Sequence, residues 1–438
     1  MTRNHRSRRV AVALLGVAAL SLPLAACSSG GSGASDGDVK ISLLMPMAED
    51  DTTAADALIA AFEDENPGIT VKLETQPAGT EGDNLTKTKL ATGEMNDVFF
   101  YNSGSLLQAL NPDQTLVDLS DEAWMKDVDK SMIESVSTKN GTYGAPWGST
   151  QAGGILYSKK IYADLGLQVP TDWAEYAANN DKIKAAGKTA VIQTYGDTFS
   201  SQLYVLGDFA NVLAQDPKWA DGYTAGKKKF ADQPALQGFL DLQISHDEGW
   251  LNKDFASARF DKGIGMLAKG EGAHYPMQTG AIASLKQNYP DNINDVGVFP
   301  VPAQKAEDTN LTVWLPNAMY IPKTTEGDKL AAAKKLLAFI TSKGGCDIQN
   351  EYIQPSGPYA ISTCELPDDV PVMLTEMQSY IDDGRSGTAL EYLSPIKGPN
   401  LENILVEVGS GIRSAEDGAA LYDEDVKKQA QQLGIEGW

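Results

Sequence analysis

The 438-residue sequence predicts an α/β protein, because short apolar runs typical of buried strands alternate with amphipathic helical patterns from residue 41 onward. A second observation is the two-residue periodicity of ITVKLE at residues 69–74, which indicates a half-buried strand. A third is an apolar content of 42%, an ordinary value for a globular protein with a sizeable core. The length suggests two or three domains.

The first elements form a β-α-β unit. ISLLM at residues 41–45 fits a buried strand, and a helix with one apolar face follows and ends at Pro67-Gly68. The strand at 69–74 closes the unit, whose crossover should be right-handed. DVFFY at 97–101 predicts another buried strand, with a short helix near 106–110.

The same alternation continues along the chain, with a second unit beginning near GGILYSKK at 153–160. Further strands are predicted at 190–194, 296–302 and 318–322. Helices are predicted from the Thr171-Asp172 cap to Gly187, over 328–341, and from a capping box at Ser414 to Gly434. This order of elements favours mostly parallel sheets.

The N-terminus has the pattern of a secretory signal. Residues 1–9 carry four arginines and no acidic residue. The apolar run over residues 10–26 is shorter than the about 20 residues that a membrane-spanning helix needs. Leu24-Ala25-Ala26-Cys27 resembles a bacterial lipobox, which implies a signal peptide over 1–26 and a lipidated Cys27. The Gly/Ser-rich residues 27–38 then form a flexible tether. The alternative is a plain signal peptide with a chance cysteine.

The charge of the chain limits its partners. The formal net charge is −23, and removal of the four signal arginines makes the mature chain more acidic still. Such a surface repels nucleic acid and anionic polymers. Cys346 and Cys364 lie 18 residues apart, a pair that in an oxidising compartment is either a disulfide or two separate buried thiols.

Signals for catalysis and for metal or cofactor binding are weak or absent. The sequence has no HExxH, CxxC or GxSxG motif, AAGKT at 185–189 lacks the first glycine of a phosphate loop, and Ala268 interrupts a GxGxxG-like string. A carboxylate pair at glycosidase spacing is not excluded by sequence, although most acidic residues simply form a solvated surface. We predict no catalytic residue, no metal and no cofactor.

The stretch APWGSTQAGGILYSKKIYADLGLQVPTDWAEYAANNDKIKAAGK resembles the central signature of extracellular solute-binding proteins that serve ABC sugar importers. FDKGIGMLAKGEGAHYPM, GVFPVP and YIPKTTEGDKLAAAKKLLAFITS are similar to later segments of that family, and AEDGAALYDEDVKKQAQQLGIEGW to its oligosaccharide-binding, raffinose-type members. Two departures are Ser158 in place of the usual Asn, and His274 where the family often has Trp.

The resemblance implies a two-lobed, periplasmic-binding-protein-like fold whose lobes are discontinuous in sequence. Lobe 1 is expected to hold residues 39–149 plus 313–357, and lobe 2 residues 150–312 plus 358–438. The ligand is expected in the cleft between the lobes, at the carboxyl ends of strands, and hinge closure then buries it.

A sugar ring has an apolar face and a rim of hydroxyls, and therefore requires aromatic platforms surrounded by amides and carboxylates. The resemblance places Glu49 and Asp50 in a loop that contacts sugar hydroxyls, although Asp50 or Asp51 also suits a helix N-cap. Tyr101 and Asn102 end the strand at 97–101, where the family often stacks an aromatic side chain. Core packing is the alternative for Tyr101.

The remaining candidates lie at the hinge and behind later strands. Trp147 and Gln151 flank the first hinge, where Gln151 matches a polar ligand position and Trp147 equally suits packing. Tyr195 and Asp197 follow the strand at 190–194 and also suit a turn. His274 and Tyr275 lie in the region where the family has its tryptophan. Trp314 and Asn317 lie at the second crossing between the lobes. A lone histidine is more often structural, so Tyr275 is the preferred stacking residue of its pair.

These patterns predict a monomeric lipoprotein anchored at the extracellular face of a Gram-positive cell membrane. It binds an oligosaccharide and delivers it to the permease subunits of an ABC importer, without catalysis. One alternative is the same fold with a peptide, a polyamine or another small metabolite as ligand. Less favoured are a secreted glycoside hydrolase and an adhesin or sensor partner.

Overall fold

The computed structural model describes residues 38–47 and 49–438, without the side chains of Glu49, Asp50 and Thr80. Within these ranges no helix combines the length and the apolar character that a membrane span requires. The strands are β1 (Val39–Pro46), β2 (Ile69–Gln76), β3 (Val98–Tyr101), β4 (Ser137–Thr138), β5 (Gly141–Thr142), β6 (Gly144–Trp147), β7 (Gln151–Ser158), β8 (Thr189–Val191), β9 (Gly272–Gln278), β10 (Val296–Phe299), β11 (Leu311–Trp314), β12 (Asn317–Tyr320) and β13 (Ser386–Thr388).

Helices cover the faces of the sheets. They are α1 (Glu49–Glu65), α2 (Gly79–Thr92), α3 (Ser105–Gln108), α4 (Pro112–Thr115), α5 (Lys130–Ser135), α6 (Lys159–Leu165), α7 (Trp173–Ala185), α8 (Leu203–Leu206), α9 (Phe209–Gln215), α10 (Trp219–Thr224), α11 (Gln237–Asp247), α12 (Phe260–Ala268), α13 (Ile282–Asn288), α14 (Gly327–Ile340), α15 (Lys343–Tyr352), α16 (Val372–Asp382), α17 (Leu401–Gly409) and α18 (Ala415–Gln432). Two predicted N-caps are confirmed, because Asp172 accepts a hydrogen bond from the Glu175 N–H and Ser414 from the Asp417 N–H.

The strands form two mixed sheets and one small hairpin. In the first sheet, of order β2-β1-β3-β12-β6, β1 is parallel to β2 and β3, whereas β12 is antiparallel to β3 and β6. The second sheet has the order β13-β11-β7-β9-β8, and β7 is antiparallel to β9, β10 and β11. The expectation of mostly parallel sheets is therefore wrong. The chain passes directly from β6 to β7 and from β11 to β12, so β7 and β12 begin at the passages between the sheets. Their neighbours β11, β3 and β6 end at that side, and these pairs are therefore antiparallel.

Each sheet buries its own apolar side chains. The core around the first sheet is drawn from residues 41–147 and 315–361. Two clusters line the second sheet, and both are drawn from residues 152–430. The strand predicted at 190–194 ends early, at Val191, because the N–H of Gln193 donates to Asn252 Oδ1 instead of continuing the ladder.

Three connections join the two sheets, at residues 148–150, at 315–316 and after α15. The first and third are hydrogen-bonded to each other, since the N–H of Thr150 donates to the Pro358 carbonyl at 2.8 Å. The N–H of Gly148 donates to Gln349 Oε1 at 2.9 Å. Cys346 in α15 forms a disulfide with Cys364. This bond attaches the third connection to α15, which packs with the helices of the first sheet.

A buried carboxyl group, that of Asp208, lies between α8 and α9. Asp208 is 3% exposed, and its Oδ1 accepts a hydrogen bond from Asn211 Nδ2 at 2.7 Å. Burial raises the pKa of Asp208 from 3.8 to about 7, because the charged form loses its hydration. Asp208 ionises near pH 4 in the unfolded chain and near pH 7 in the folded chain. The contribution of this carboxyl to the free energy of unfolding is therefore greatest below pH 4 and falls as the pH rises from 4 to 7.

We expect Asp208→Asn to stabilise the protein by about 1–3 kcal/mol at pH 8, and to change its stability little at pH 4, because the amide is never charged. Urea unfolding at the two pH values measures the difference. Asp369→Asn is the matched control, since Asp369 is exposed and makes no hydrogen bond among the described residues. A variant that loses stability at pH 8, or gains it equally at both pH values, would contradict the assignment.

Candidate functional site

The facing edges of the two sheets bring strand ends together. Asn102 directly follows β3, and Asn317 is the first residue of β12. The two residues lie close together because Ala318 of β12 pairs with Tyr101, the last residue of β3. In the second sheet, Trp314 at the end of β11 pairs with Gln151 at the start of β7. Between the edges lies a cavity of about 300 Å³. The sequence-predicted residues that line it are Asn102, Gln151, Trp314 and Asn317.

Side-chain amides dominate the polar lining of this central cavity. Besides Asn102, Gln151 and Asn317, the cavity is lined by Gln202 and by Gln278 at the end of β9. Among the described residues, no hydrogen bond engages the side-chain amide of four of them: Asn102, Gln151, Gln278 and Asn317. Each amide carries donors and an acceptor, so the site can hydrogen-bond a neutral ligand with many hydroxyls.

An aromatic wall completes the central cavity. The Trp314 ring lies over Gly153, at such close range that a Cβ at Gly153 would be 2.2 Å from Trp314 Cζ3. Tyr392 is held by a 3.0 Å hydrogen bond from its hydroxyl to the Leu315 carbonyl, and Phe199 is 45% exposed at the rim. Rings held in this way can stack on an apolar ligand face.

A second cavity of about 230 Å³ adjoins the first, with Gln151 and Asn317 lining both. Trp147 at the end of β6 lines it, and its indole Nε1 donates to Asp51 Oδ1 at 3.3 Å. Trp147 is 3% exposed and packs in the first core. Trp147 therefore packs in the core next to the hinge, and it also lines a cavity.

The central cavity has little net charge. Among the described residues that line it, the charged ones are Glu391 and Lys397, which form an ion pair of 3.2 Å. Elsewhere in the described ranges, no group of three or more His, Cys, Asp or Glu side chains is arranged to hold a metal ion. The lining therefore suits a ligand that is neutral and polar.

His274 and Tyr275 do not reach the cavity, which corrects the sequence-based prediction. Both are fully buried in β9. His274 is hydrogen-bonded at 2.7 Å to Tyr162 Oη and to Asn180 Oδ1, and burial lowers its pKa to about 3. Tyr275 Oη bonds Thr194 Oγ1 at 2.6 Å. The strand is covered on both faces, so only its last residue, Gln278, meets the cavity.

Three other predicted residues also lie away from the cavity. Tyr101 is 3% exposed and packs in the first core, as its structural alternative required. Tyr195 is 4% exposed and packs edge-on against Phe255. Asp197 accepts hydrogen bonds from Arg259 at 3.0 Å and from the first N–H of α12, so it caps that helix. The early end of β8 directs these last two residues away from the sheet edge.

Some predictions fall on parts of the chain that are not described. Cys27 lies outside the described residues. Glu49 and Asp50 begin α1, but their side chains also lie outside the description. Sequence reasoning missed several lining residues, of which Gln278 had a usable signal, since it is the last residue of the largely apolar strand β9. The others lie on short helices and in loops, and they are Phe199, Gln202, Leu203, Leu206, Leu315, Glu391, Tyr392 and Lys397.

Comparison with known proteins adds a family and a fold. A family model described as bacterial extracellular solute-binding protein matches residues 48–345. The chain is 26% identical over 359 residues to the multiple sugar-binding protein of Streptococcus mutans, an alignment that covers 80% of this chain and 82% of that protein.

Solved structures with the same fold cover almost the whole chain. The binding protein MsmE of Bacillus subtilis, in an open conformation, superposes with a TM-score of 0.76 at 18% identity, over 92% of this chain and 100% of that one. RafE in complex with raffinose gives a TM-score of 0.72 at 20% identity, over 90% and 99%. A chitin oligosaccharide binding protein gives 0.73 at 18% identity, over 90% and 100%.

Proposed function

The chain belongs to the bacterial extracellular solute-binding proteins, and from this membership we propose that it captures a neutral oligosaccharide between two lobes for an ABC importer. The family consists of binding proteins rather than enzymes, and its members act outside the cell. The predicted fold class is confirmed, because its structural neighbours are two-lobed binding proteins. The lobe boundaries 39–149 plus 313–357 and 150–312 plus 358–438 remain part of the proposal.

The observation that carries the sugar assignment is the set of amides beside the Trp314 ring. Four of the amides have no partner within the described residues, so their hydrogen-bonding capacity is available to a ligand. An aromatic face with several neutral donors and acceptors matches a pyranose, which has an apolar face and a hydroxyl rim. The names of the relatives point the same way, since they include a multiple sugar-binding protein and a complex with raffinose.

Charge argues against the polyamine alternative. A polyamine would require several unpaired carboxylates. Among the described residues, the carboxylate that lines the central cavity is Glu391, which is paired with Lys397, and Asp51 in the adjoining cavity accepts a hydrogen bond from Trp147. A peptide would find few charged partners for its termini in the same lining. The overall acidity of the chain therefore belongs to its surface rather than to this cavity.

We further propose that Cys27 is lipidated and anchors the protein at the extracellular face of the membrane, with residues 27–38 as the tether. Closure of the lobes around the sugar would create the surface that the permease subunits recognise. A monomer suffices for this cycle, since both sides of the cavity come from one chain.

Isothermal titration of residues 39–438 tests the proposal, with α-galactosides and xylo-, malto- and chito-oligosaccharides as ligands. We expect one-to-one binding of at least one series, with the sugar recovered intact after the titration. Spermidine and a tripeptide serve as non-sugar ligands. Binding of either of these without any sugar would refute the oligosaccharide assignment, and cleavage of a sugar would refute the non-catalytic role.

A further inference from the structure

The third connection between the two sheets does not leave the first sheet at once. After α15, Ile353 packs against the first core, and the chain returns to that core at Ala360. Residues 353–358 therefore form a loop, which we term the hinge loop, with both of its ends on the first core. A disulfide between Cys346 in α15 and Cys364 closes this stretch of chain.

The hinge loop contacts both the first connection and the second sheet. The Ser356 N–H donates to Ser149 Oγ of the first connection at 2.9 Å. The Ser356 carbonyl accepts a 2.6 Å hydrogen bond from Oγ1 of Thr279, and the same oxygen accepts from the N–H of Ala152 in β7. Thr279 is fully buried, so one enclosed hydroxyl joins the hinge loop to the second sheet.

The hinge loop is also a wall of the second cavity. Ile353, Gln354 and Ser356 line this cavity, together with Gln151 and Asn317 of the candidate site. The shape of the cavity therefore depends on where the hinge loop lies. A wall that is held in place before the ligand arrives needs less ordering on binding, and a disulfide that rigidifies a loop raises affinity in this way.

The disulfide lies where the third connection leaves the first core. Cys364 packs against that core, and two residues later Leu366 packs against a cluster of the second sheet. A shift of one sheet relative to the other therefore pulls on the chain next to Cys364. The disulfide transfers this pull to Cys346 in α15, so the hinge loop keeps its place. Without the disulfide, the returning segment is attached by weaker bonds, such as that from Thr363 Oγ1 to the Thr341 carbonyl at 2.7 Å.

We propose that the Cys346–Cys364 disulfide is a redox-sensitive positioning element of the sugar site, which holds the hinge loop in its binding geometry when formed and lowers affinity when reduced. The inference rests on the proposed function and adds a redox dependence to it. Because disulfides persist outside the cell and are reduced in the cytosol, the site reaches its full affinity only in an oxidising compartment.

Reduction of this pair is chemically simple. A dithiol such as dithiothreitol supplies two electrons and two protons, so the S–S bond breaks, both cysteines become thiols and the reagent closes into a cyclic disulfide. Cys364 is half-buried and offers its sulfur to the reagent, whereas Cys346 is fully buried.

The test is isothermal titration of residues 39–438, in which Cys346 and Cys364 are the two cysteines, with an oligosaccharide that binds the oxidised protein. We expect dithiothreitol to raise the dissociation constant by about tenfold or more. Cys346→Ala/Cys364→Ala should show the same loss without the reagent and no further loss with it. Trp438→Ala is the control for lost stability alone, because Trp438 packs against a cluster of the second sheet and lines neither cavity.

Two further measurements distinguish positioning from general support of the fold. Thr279→Val removes the hydroxyl that joins the hinge loop to the second sheet while the disulfide stays in place. We expect a comparable loss of affinity, and less than an additive loss when Thr279→Val is reduced as well. Hydrogen exchange of the Thr150 and Ser356 amides should become faster on reduction, whereas exchange within β1 should not change.

Equal affinity of the oxidised and reduced protein, with sugar bound by both, would overturn the inference and leave the proposed function standing. Faster exchange in β1 on reduction would also overturn it, because the disulfide would then support the whole first core. If the double cysteine variant does not fold, unchanged affinity in Thr279→Val has the same meaning. Failure of every sugar to bind in either redox state would instead refute the proposed function, and the redox dependence of affinity with it.

Discussion

Trp314→Ala should lower affinity for the bound oligosaccharide by about 30- to 150-fold, the loss of about 2–3 kcal/mol expected for an aromatic side chain at the centre of a binding site. The ring lines the central cavity at the end of β11, beside the unpartnered amides of Gln151 and Asn317. Truncation removes the apolar platform and leaves those amides facing water. Isothermal titration with an oligosaccharide that binds the unsubstituted protein measures the change directly.

Trp438→Ala is the matched control for this substitution. Trp438 packs against Tyr223 and donates from Nε1 to the Thr224 carbonyl, remote from both cavities. Its truncation should cost stability without weakening sugar binding. Equal affinities for Trp314→Ala and the unsubstituted protein would show that the ring is not the platform, and would remove the main aromatic support for the sugar assignment.

Gly153→Ala should weaken binding by about tenfold or more through Trp314, although residue 153 itself does not line the central cavity. The added Cβ would lie 2.2 Å from Cζ3 and 2.8 Å from Cη2 of the Trp314 ring, so the ring must move. Overpacking of this kind costs about 1–3 kcal/mol of stability in addition. Thermal unfolding and titration on the same sample separate the two effects.

The neighbouring substitution Gly154→Ala distinguishes displacement of the ring from general strain in β7. A Cβ at Gly154 would meet the Phe299 carbonyl oxygen at 2.4 Å, and Trp314 is not among its nearest neighbours. We expect it to lower stability and to leave affinity nearly unchanged. In the Trp314→Ala background, Gly153→Ala should cause no further loss of affinity, because the two substitutions act on one ring. Additive losses would contradict this coupling.

Much of the fold follows from patterns along the chain. Apolar runs such as residues 41–45 and capping residues such as Asp172 and Ser414 predict elements that the structure contains, because these signals are local. Sheet direction is not local. It depends on the two short passages between the sheets, and their effect appears only when both sheets are assembled.

The sequence predicts those residues of the candidate site that lie at strand ends, next to the connections between the two sheets. Gln151 and Trp314 belong to that group, and they pair with each other in the second sheet. His274 failed as a prediction because a strand buried on both faces has no periodicity to show which residue reaches its edge. Tyr392 was missed because its position depends on a hydrogen bond to Leu315, which is 77 residues away in sequence.

The place of β12 in the first sheet has a consequence for the order in which the chain can fold. This strand lies between β3 and β6, so residues 98–101 and 144–147 have no common neighbour until residues 317–320 arrive. The second sheet similarly awaits β13 at residues 386–388. Such late pairing slows folding and leaves strand edges exposed in the meantime. A chain synthesised from its N-terminus therefore completes neither sheet until most of its length is available.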